Sequence, residues 1–327
     1  MAGAGGAMMA GNNRPRVVYL GGLGRSGTTL LERLLGELPG VCSVGEVVHL
    51  WQRGIAEAER CGCGEPLPDC PFWRKVGEIA FGGWDQVDVR RVAELRHTVD
   101  RNRCVPRLAA PALNPSFRRL LDEYTDYYVR IYAGIADASG CPVVVDSSKH
   151  ASLAFCLRRR AELDLRVVHV VRDSRAVAFS WTRRVSRPES ASDPFMLTYP
   201  PTKTAWLWNL QNGALQLLAM EGVPTLRVRY EDLVTSPTAT LAKVADFAGM
   251  AADGAAMNFM GSDANTNWAD LRAAHTASGN PMRFTTGKIT IRMDDRWRTA
   301  MPASQRRRVT ALTLPLLARY GYAGRAE

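Results

Sequence analysis

Apolar residues along this chain fall into two alternating patterns. Short continuous runs occur at Arg16–Gly22, Cys141–Asp146, Leu165–Arg172 and Val223–Tyr230. Their Val- and Leu-rich composition, with little polar interruption, predicts strands buried on both faces of a parallel sheet. Between them lie stretches with a helical repeat at 28–38, 86–98, 115–138, 150–161, 174–185, 203–220, 236–249 and 303–319. Strand and helix in alternation predict an α/β fold, a three-layer α/β/α sandwich around a mainly parallel sheet. Two stretches break the rhythm. Residues 51–115, rich in Gly, Pro, Cys and Arg, read as an insertion with one clear helix, serving as a lid or acceptor platform. Residues 250–300 read as a long irregular segment, too long for a simple connector. The expected organisation is a disordered tail over 1–15 followed by a single domain over 16–327.

The end of the first strand run carries the densest chemistry. Leu20-Gly21-Gly22-Leu23-Gly24-Arg25-Ser26-Gly27-Thr28-Thr29-Leu30 joins that strand to an amphipathic helix. Unpaired N–H groups at a helix start and the helix dipole favour an anion there, and glycines let backbone approach a phosphate closely. Ser26, Thr28 and Thr29 add hydroxyl donors, and Arg25 adds a permanent cation. Gly22 and Gly27 have the spacing of a nucleoside triphosphate-binding loop, but Thr28 stands where that motif needs lysine.

Bulk properties narrow the field. The 327 residues carry 42 basic and 32 acidic side chains, a net charge of +10. A basic surface suits a polyanionic ligand, and nucleic acid would fit it too. Arg158-Arg159-Arg160 and Arg306-Arg307-Arg308 are the densest clusters, but they lie in helical stretches and read as solvated faces. With no zinc-finger, RNA-recognition or aromatic-interleaved signature, no nucleic-acid partner is expected. No run approaches the ~18 apolar residues of a membrane span, so no transmembrane segment is expected. The first 15 residues lack the apolar core of a secretory signal, which gives a cytoplasmic expectation. The oligomeric state is left open.

Seven cysteines are present, an odd number that argues against a disulfide framework. Cys61-Gly62-Cys63-Gly64…Cys70 is the one local cluster. C-x-C followed by x6-C is not a standard four-ligand zinc spacing. A structural metal, a local disulfide and plain reduced thiols all stay open, with reduced thiols favoured and no metal assigned.

The loop with Arg25 followed by Ser-Gly-Thr-Thr resembles the 5′-phosphosulfate loop of sulfotransferases that use 3′-phosphoadenylyl sulfate (PAPS). The tyrosylprotein and carbohydrate branches carry arginine there, as this chain does. A second match is Val167-Val168-His169-Val170-Val171-Arg172-Asp173-Ser174, with Ser180 eight residues after Arg172. The superfamily holds the donor's 3′-phosphate with an Arg and a Ser at that spacing. A guanidinium fork plus a hydroxyl is suited to phosphate. The resemblance then implies roles for individual residues. Gly24, Arg25, Ser26, Gly27, Thr28, Thr29, Arg172 and Ser180 would bind the donor. Tyr230, in Arg229-Tyr230-Glu231-Asp232, would lie near the adenine. Arg283, in a late basic loop, would close over the nucleotide. Glu46, in Ser43-Val44-Gly45-Glu46, corresponds to the Gly-Glu base of the tyrosylprotein branch, and His150 is the alternative base by analogy with the phenol and steroid branch. Lys149 corresponds to a catalytic lysine. The implied reaction moves a sulfuryl group from PAPS to a hydroxyl of a small-molecule, carbohydrate or glycolipid acceptor, without a metal. The segment 183–203, with Arg183, Arg184, Pro188, Phe195, Tyr199, Pro200 and Pro201, is expected to shape the acceptor pocket alongside 51–115. Two other readings remain: a phosphotransferase or nucleoside triphosphatase on the same scaffold, and a non-catalytic basic nucleic-acid-binding protein.

Overall fold

The computed structural model of the chain describes residues 14–187, 195–263 and 266–323. Residues 1–13 of the tail expected over 1–15, and Pro188 of the expected acceptor segment, lie outside the described residues. The main sheet holds β1 (Arg16–Gly21), β2 (Val41–Ser43), β3 (Val143–Lys149), β4 (Asp164–Val171) and β5 (Thr225–Arg229) in the order β2-β3-β1-β4-β5. Every pairing in it is parallel.

Side-chain alternation assigns the two faces. Val17, Tyr19, Val144 and Val167 belong to one buried cluster, and Val18, Leu20, Val143, Val145, Val168 and Val170 to another. Each face therefore needs its own helical cover, which is why the strands read as unbroken apolar runs. One face is covered by α1 (Thr28–Leu35). The other receives α2 (Pro71–Phe81), α3 (Val89–Val99), α4 (Val105–Ala109), α5 (Pro115–Ser139) and α6 (Ala151–Leu157). Beyond them come α7 (Ser174–Trp181), α8 (Pro201–Met220), α9 (Tyr230–Thr235) and α10 (Pro237–Ala248), the last two packing with α1. The chain closes with α11 (Trp297–Ala300) and α12 (Ala303–Arg319).

Both irregular stretches hold more order than their composition suggests. Residues 51–115 contain two eleven-residue helices, α2 and α3, where one was expected. Pro71 and Gly77 disguise α2. The proline occupies a first-turn position where its missing N–H costs nothing. Gly77 lets the Trp84 indole lie on the helix, since a Cβ there would sit 2.5 Å from a ring carbon. Residues 250–300 contain a separate antiparallel sheet of β6 (Met260–Asp263), β7 (Thr266–Leu271) and β8 (Gly287–Ile291). No helix among the described residues is long and apolar enough to cross a membrane.

Candidate functional site

A cavity of about 720 Å³ opens at the carboxyl ends of the parallel strands. Ligands of open parallel sheets bind at that end, beside a point where strand order reverses. A second cavity of similar volume lies among Arg14, Arg158, Asp164 and Pro224, against the amino end of β4, where that rule gives no site.

The loop after β1 forms one wall. Gly22 (φ +153°) passes so close to β4 that a Cβ would meet the Val170 carbonyl oxygen at 2.4 Å. Its N–H donates to the Lys149 carbonyl. Gly27 (φ +92°) caps α1 in the left-handed region, and a Cβ would lie 2.5 Å from the Tyr230 ring. Only glycine serves both positions. Between them Arg25 takes φ +75°, an unfavourable region for a residue with a Cβ and one that clusters at functional sites. Its guanidinium lies over the Trp181 ring at 5.6 Å and donates to Met196 Sδ. Burial lowers its pKa. Gly24, Arg25, Gly27, Thr28 and Thr29 all line the cavity, whereas Ser26 is buried in the turn.

β4 delivers Arg172 to the same wall, and Asp173 then caps α7 by accepting from the Arg175 N–H. Asp173 pairs with Arg175 at 2.7 Å, so Arg172 is not taken up by its neighbour. Arg172 donates to the carbonyls of Arg25 and Asp294, and lies 4.2 Å over the Tyr230 ring. Its Nε is buried with no hydrogen-bond partner. Ser180 and Tyr230 line the cavity beside it.

A second wall, joined to the first where the Gly22 N–H meets the Lys149 carbonyl, carries charge of both signs. Lys149 ends β3 at φ +72°, after a register shift between β3 and β1. Its Nζ donates to Glu46 Oε1 and to the Ser147 carbonyl. The other Glu46 oxygen lies 3.5 Å from His49 Nε2, and the His49 and His150 rings meet edge to face at 6.0 Å. Burial lowers both imidazole pKa values, and Arg53 adds to the effect at His49. The histidines are thereby kept neutral beside a carboxylate paired with lysine. Arg53, Arg96, Arg101 and Arg187 enter from the insertion and from the segment after α7. Arg187 is anchored at 2.5 Å on buried Glu59.

Glu32 supports this wall from behind. It is buried in α1 and accepts from the Gly45 N–H and the Ser147 hydroxyl, both at 2.7 Å. Burial pushes its pKa up to about 7. Sequence reasoning missed Glu32, His49 and Gln211, whose amide donates to the Lys149 carbonyl. Glu32 reads as a surface position in an amphipathic helix, so no local signal could have found it.

Arg283 departs from expectation. It is buried, and its guanidinium donates to the carbonyls of Thr276 and Arg60. It ties the late loop to the insertion instead of facing the cavity. The late segment reaches the cavity through Asn280, Met282 and Arg292. His275 also lies outward, against Phe72, with the rings stacked at 5.2 Å.

Residues 15–321 match the sulfotransferase domain family, and the chain belongs to it. Among solved structures it is similar to the sulfotransferase domain of the olefin synthase from Synechococcus PCC 7002, at 20% identity and TM-score 0.45 over 93% of this chain and 95% of that one. It is also similar to the sulfotransferase domain from the curacin biosynthetic pathway, at 17% identity and TM-score 0.47 over 91% and 96%. Sulfotransferase STF9 from Mycobacterium avium shares 15% identity at TM-score 0.41 over 76% and 67%. A comparison with curated proteins returned no match. Sulfuryl transfer is the general activity of the matched family.

Proposed function

We propose that the protein transfers the sulfuryl group of PAPS to an acceptor hydroxyl, giving a sulfate ester and 3′-phosphoadenosine 5′-phosphate. The observation that carries this reading is one cavity with two unlike walls. The glycine loop and Arg172 offer donors to an anion, and the Glu46–Lys149 pair lines the same cavity. Three features suit the nucleotide. Gly24 and Gly27 let Trp181 and Tyr230 pack against the loop, Arg172 Nε is an unpartnered buried donor, and Ser180 adds a hydroxyl. In this reading Gly24, Arg25, Gly27, Thr28 and Thr29 receive the 5′-phosphosulfate, with Ser26 holding the turn. Arg172 and Ser180 take the 3′-phosphate, and Tyr230 packs beside the nucleotide.

Glu46 is the base. Lys149 Nζ holds its carboxylate in place and burial lowers the pKa of His49 and of His150, so this reading assigns the proton to Glu46 and not to His150. The acceptor oxygen forms a bond to sulfur as the bridging S–O bond breaks, and that electron pair leaves with the 5′-phosphate. Arg25 and Lys149 neutralise charge growing on the leaving phosphate and the sulfuryl oxygens. Such a reaction depends mainly on positioning and charge stabilisation. No step in this scheme calls for a metal ion.

The acceptor wall is lined by arginines and by aromatic side chains such as Trp181 and Tyr199, stacked at 4.8 Å. That lining suits a small-molecule, carbohydrate or glycolipid hydroxyl. Residues 16–327 act in this proposal as a single catalytic domain, with 51–115 as the acceptor platform, in the cytoplasm. Incubation with PAPS labelled in the sulfuryl group and an extract of host metabolites tests the reading. A labelled, acceptor-dependent sulfate ester is expected. ATP turnover with magnesium, or binding to RNA or DNA that ignores PAPS, would replace it.

A further inference from the structure

The cysteine cluster of the insertion gains a fourth partner that its local spacing does not reveal. His275, 205 positions after Cys70, brings Nδ1 to 3.2 Å from the Cys70 sulfur and 4.0 Å from the Cys61 sulfur. The Cys63 and Cys70 sulfurs are 3.7 Å apart. All four donor atoms of Cys61, Cys63, Cys70 and His275 lie within 4.8 Å of one another. A tetrahedron with Zn–S bonds of about 2.3 Å and a Zn–N bond of about 2.0 Å has edges of roughly 3.5–3.8 Å. A disulfide needs its sulfurs at about 2.0 Å, and all seven cysteines are unbridged.

We propose that Cys61, Cys63, Cys70 and His275 Nδ1 form a structural zinc site, separate from the sulfuryl-transfer cavity. Three thiolates and an imidazole are a soft, closed donor set suited to tetrahedral zinc. The backbone is arranged for it. N–H groups of Cys63, Glu65 and Trp73 hydrogen-bond the sulfurs of Cys61, Cys63 and Cys70 respectively, which fixes where the sulfurs point. Gly62 lets the cysteine turn press against the histidine segment, because a Cβ there would lie 2.4 Å from both the Ala274 carbonyl oxygen and the Thr276 hydroxyl. Gly64 (φ +99°) closes the turn. Around the donors, Trp73 Nε1 donates to the His275 carbonyl and Phe72 stacks on the ring, fixing its orientation. Arg283 grips the carbonyls of Arg60 and Thr276, one residue outside a ligand on each strand of chain. The metal joins two segments that no sequence-local motif connects.

Zinc content and cobalt substitution test the site on the full-length protein, purified without a histidine tag or chelator and kept reduced. Elemental analysis is expected to find about one zinc per chain, released as a mercurial titrates the thiols. Cobalt(II) added to the zinc-stripped protein is expected to give the intense visible bands of tetrahedral thiolate coordination. His275→Ala alters an exposed side chain and is expected to lose zinc on dialysis, whereas Cys42→Ser retains it. Reduced wild-type protein that takes up neither zinc nor cobalt overturns the proposal. So does an unreduced mass two hydrogens lower with Cys63 and Cys70 cross-linked in one peptide, or iron alone as the bound metal. If His275→Ala fails to fold, the cobalt titration of wild-type protein decides the matter.

Discussion

The two walls of the cavity are built on opposite principles. The glycine-loop wall is local: residues 22–29 follow one another, and Arg172 and Ser180 lie on one strand and the helix after it. The second wall is an assembly of distant pieces. Glu46 follows β2, Lys149 ends β3, Arg96 comes from α3, and Arg187 reaches over to Glu59 of the insertion. A local wall changes only when its own motif changes, whereas an assembled wall can be reshaped from several places. In the proposed reaction the local wall receives the nucleotide and the assembled wall the acceptor.

Mutation can break this contrast. The largest effect is expected from Arg25→Ala and from Glu46→Gln, each lowering turnover by on the order of 100- to 1,000-fold with the thermal midpoint little changed. Wild-type turnover in either would remove that residue from the chemistry. Next, Arg172→Ala is expected to weaken binding of 3′-phosphoadenosine 5′-phosphate by about 10- to 100-fold, as loss of charge-assisted hydrogen bonds does. Calorimetry of that nucleotide reads it directly, and unchanged affinity would break the assignment of the local wall. A smaller effect is expected from Arg96→Ala on the assembled wall: a roughly 3- to 10-fold rise in acceptor KM with nucleotide affinity unaltered. A parallel loss of nucleotide affinity would mean that the walls are not independent.

The smallest effect concerns stability. Glu32 has a folded pKa of about 7, raised by burial from its ordinary value of 4.5. The folded protein therefore holds a proton that the unfolded chain has released, and stability falls as pH rises through that interval. Buried Asp146, raised to about 6, acts in the same direction. Glu32→Gln mimics the protonated side chain and is expected to flatten the dependence between about pH 5 and about pH 7.5 in urea unfolding. An unchanged slope would show that Glu32 ionises freely in the fold.

Sequence legibility followed the same division. β1 and the valine runs of β3 and β4 stand out because both faces are buried there, whereas the edge strand β5, with Arg227 exposed, shows only a short apolar signal. β2 has three residues and carries too little pattern to detect. The phosphate-type loop is legible because glycine, hydroxyl and arginine are crowded into one turn. α2 and the β6–β8 sheet are not, since their periodicity is short and broken by residues that matter to packing elsewhere. Arg283 shows the limit most clearly. A basic residue in a glycine-rich late loop reads as a ligand contact, but its guanidinium is spent on two backbone carbonyls. Conversely, Glu32 looks like an ordinary helix-surface residue until the fold carries Gly45 and Ser147 to it. Composition reports what a residue can do, and only tertiary contact decides which of those things it does.

The backbone around Glu46 has a further implication. Ala277 bridges to Gly45, its carbonyl accepts from the Glu46 N–H, and its own N–H donates to Val44. More than two hundred residues of chain lie between these partners. During synthesis the peptide that aims the Glu46 carboxylate therefore has no mate until the Ala277 stretch clears the ribosome. A half-made chain lacks Arg172, Ser180 and Tyr230 as well, so both walls of the pocket are completed late.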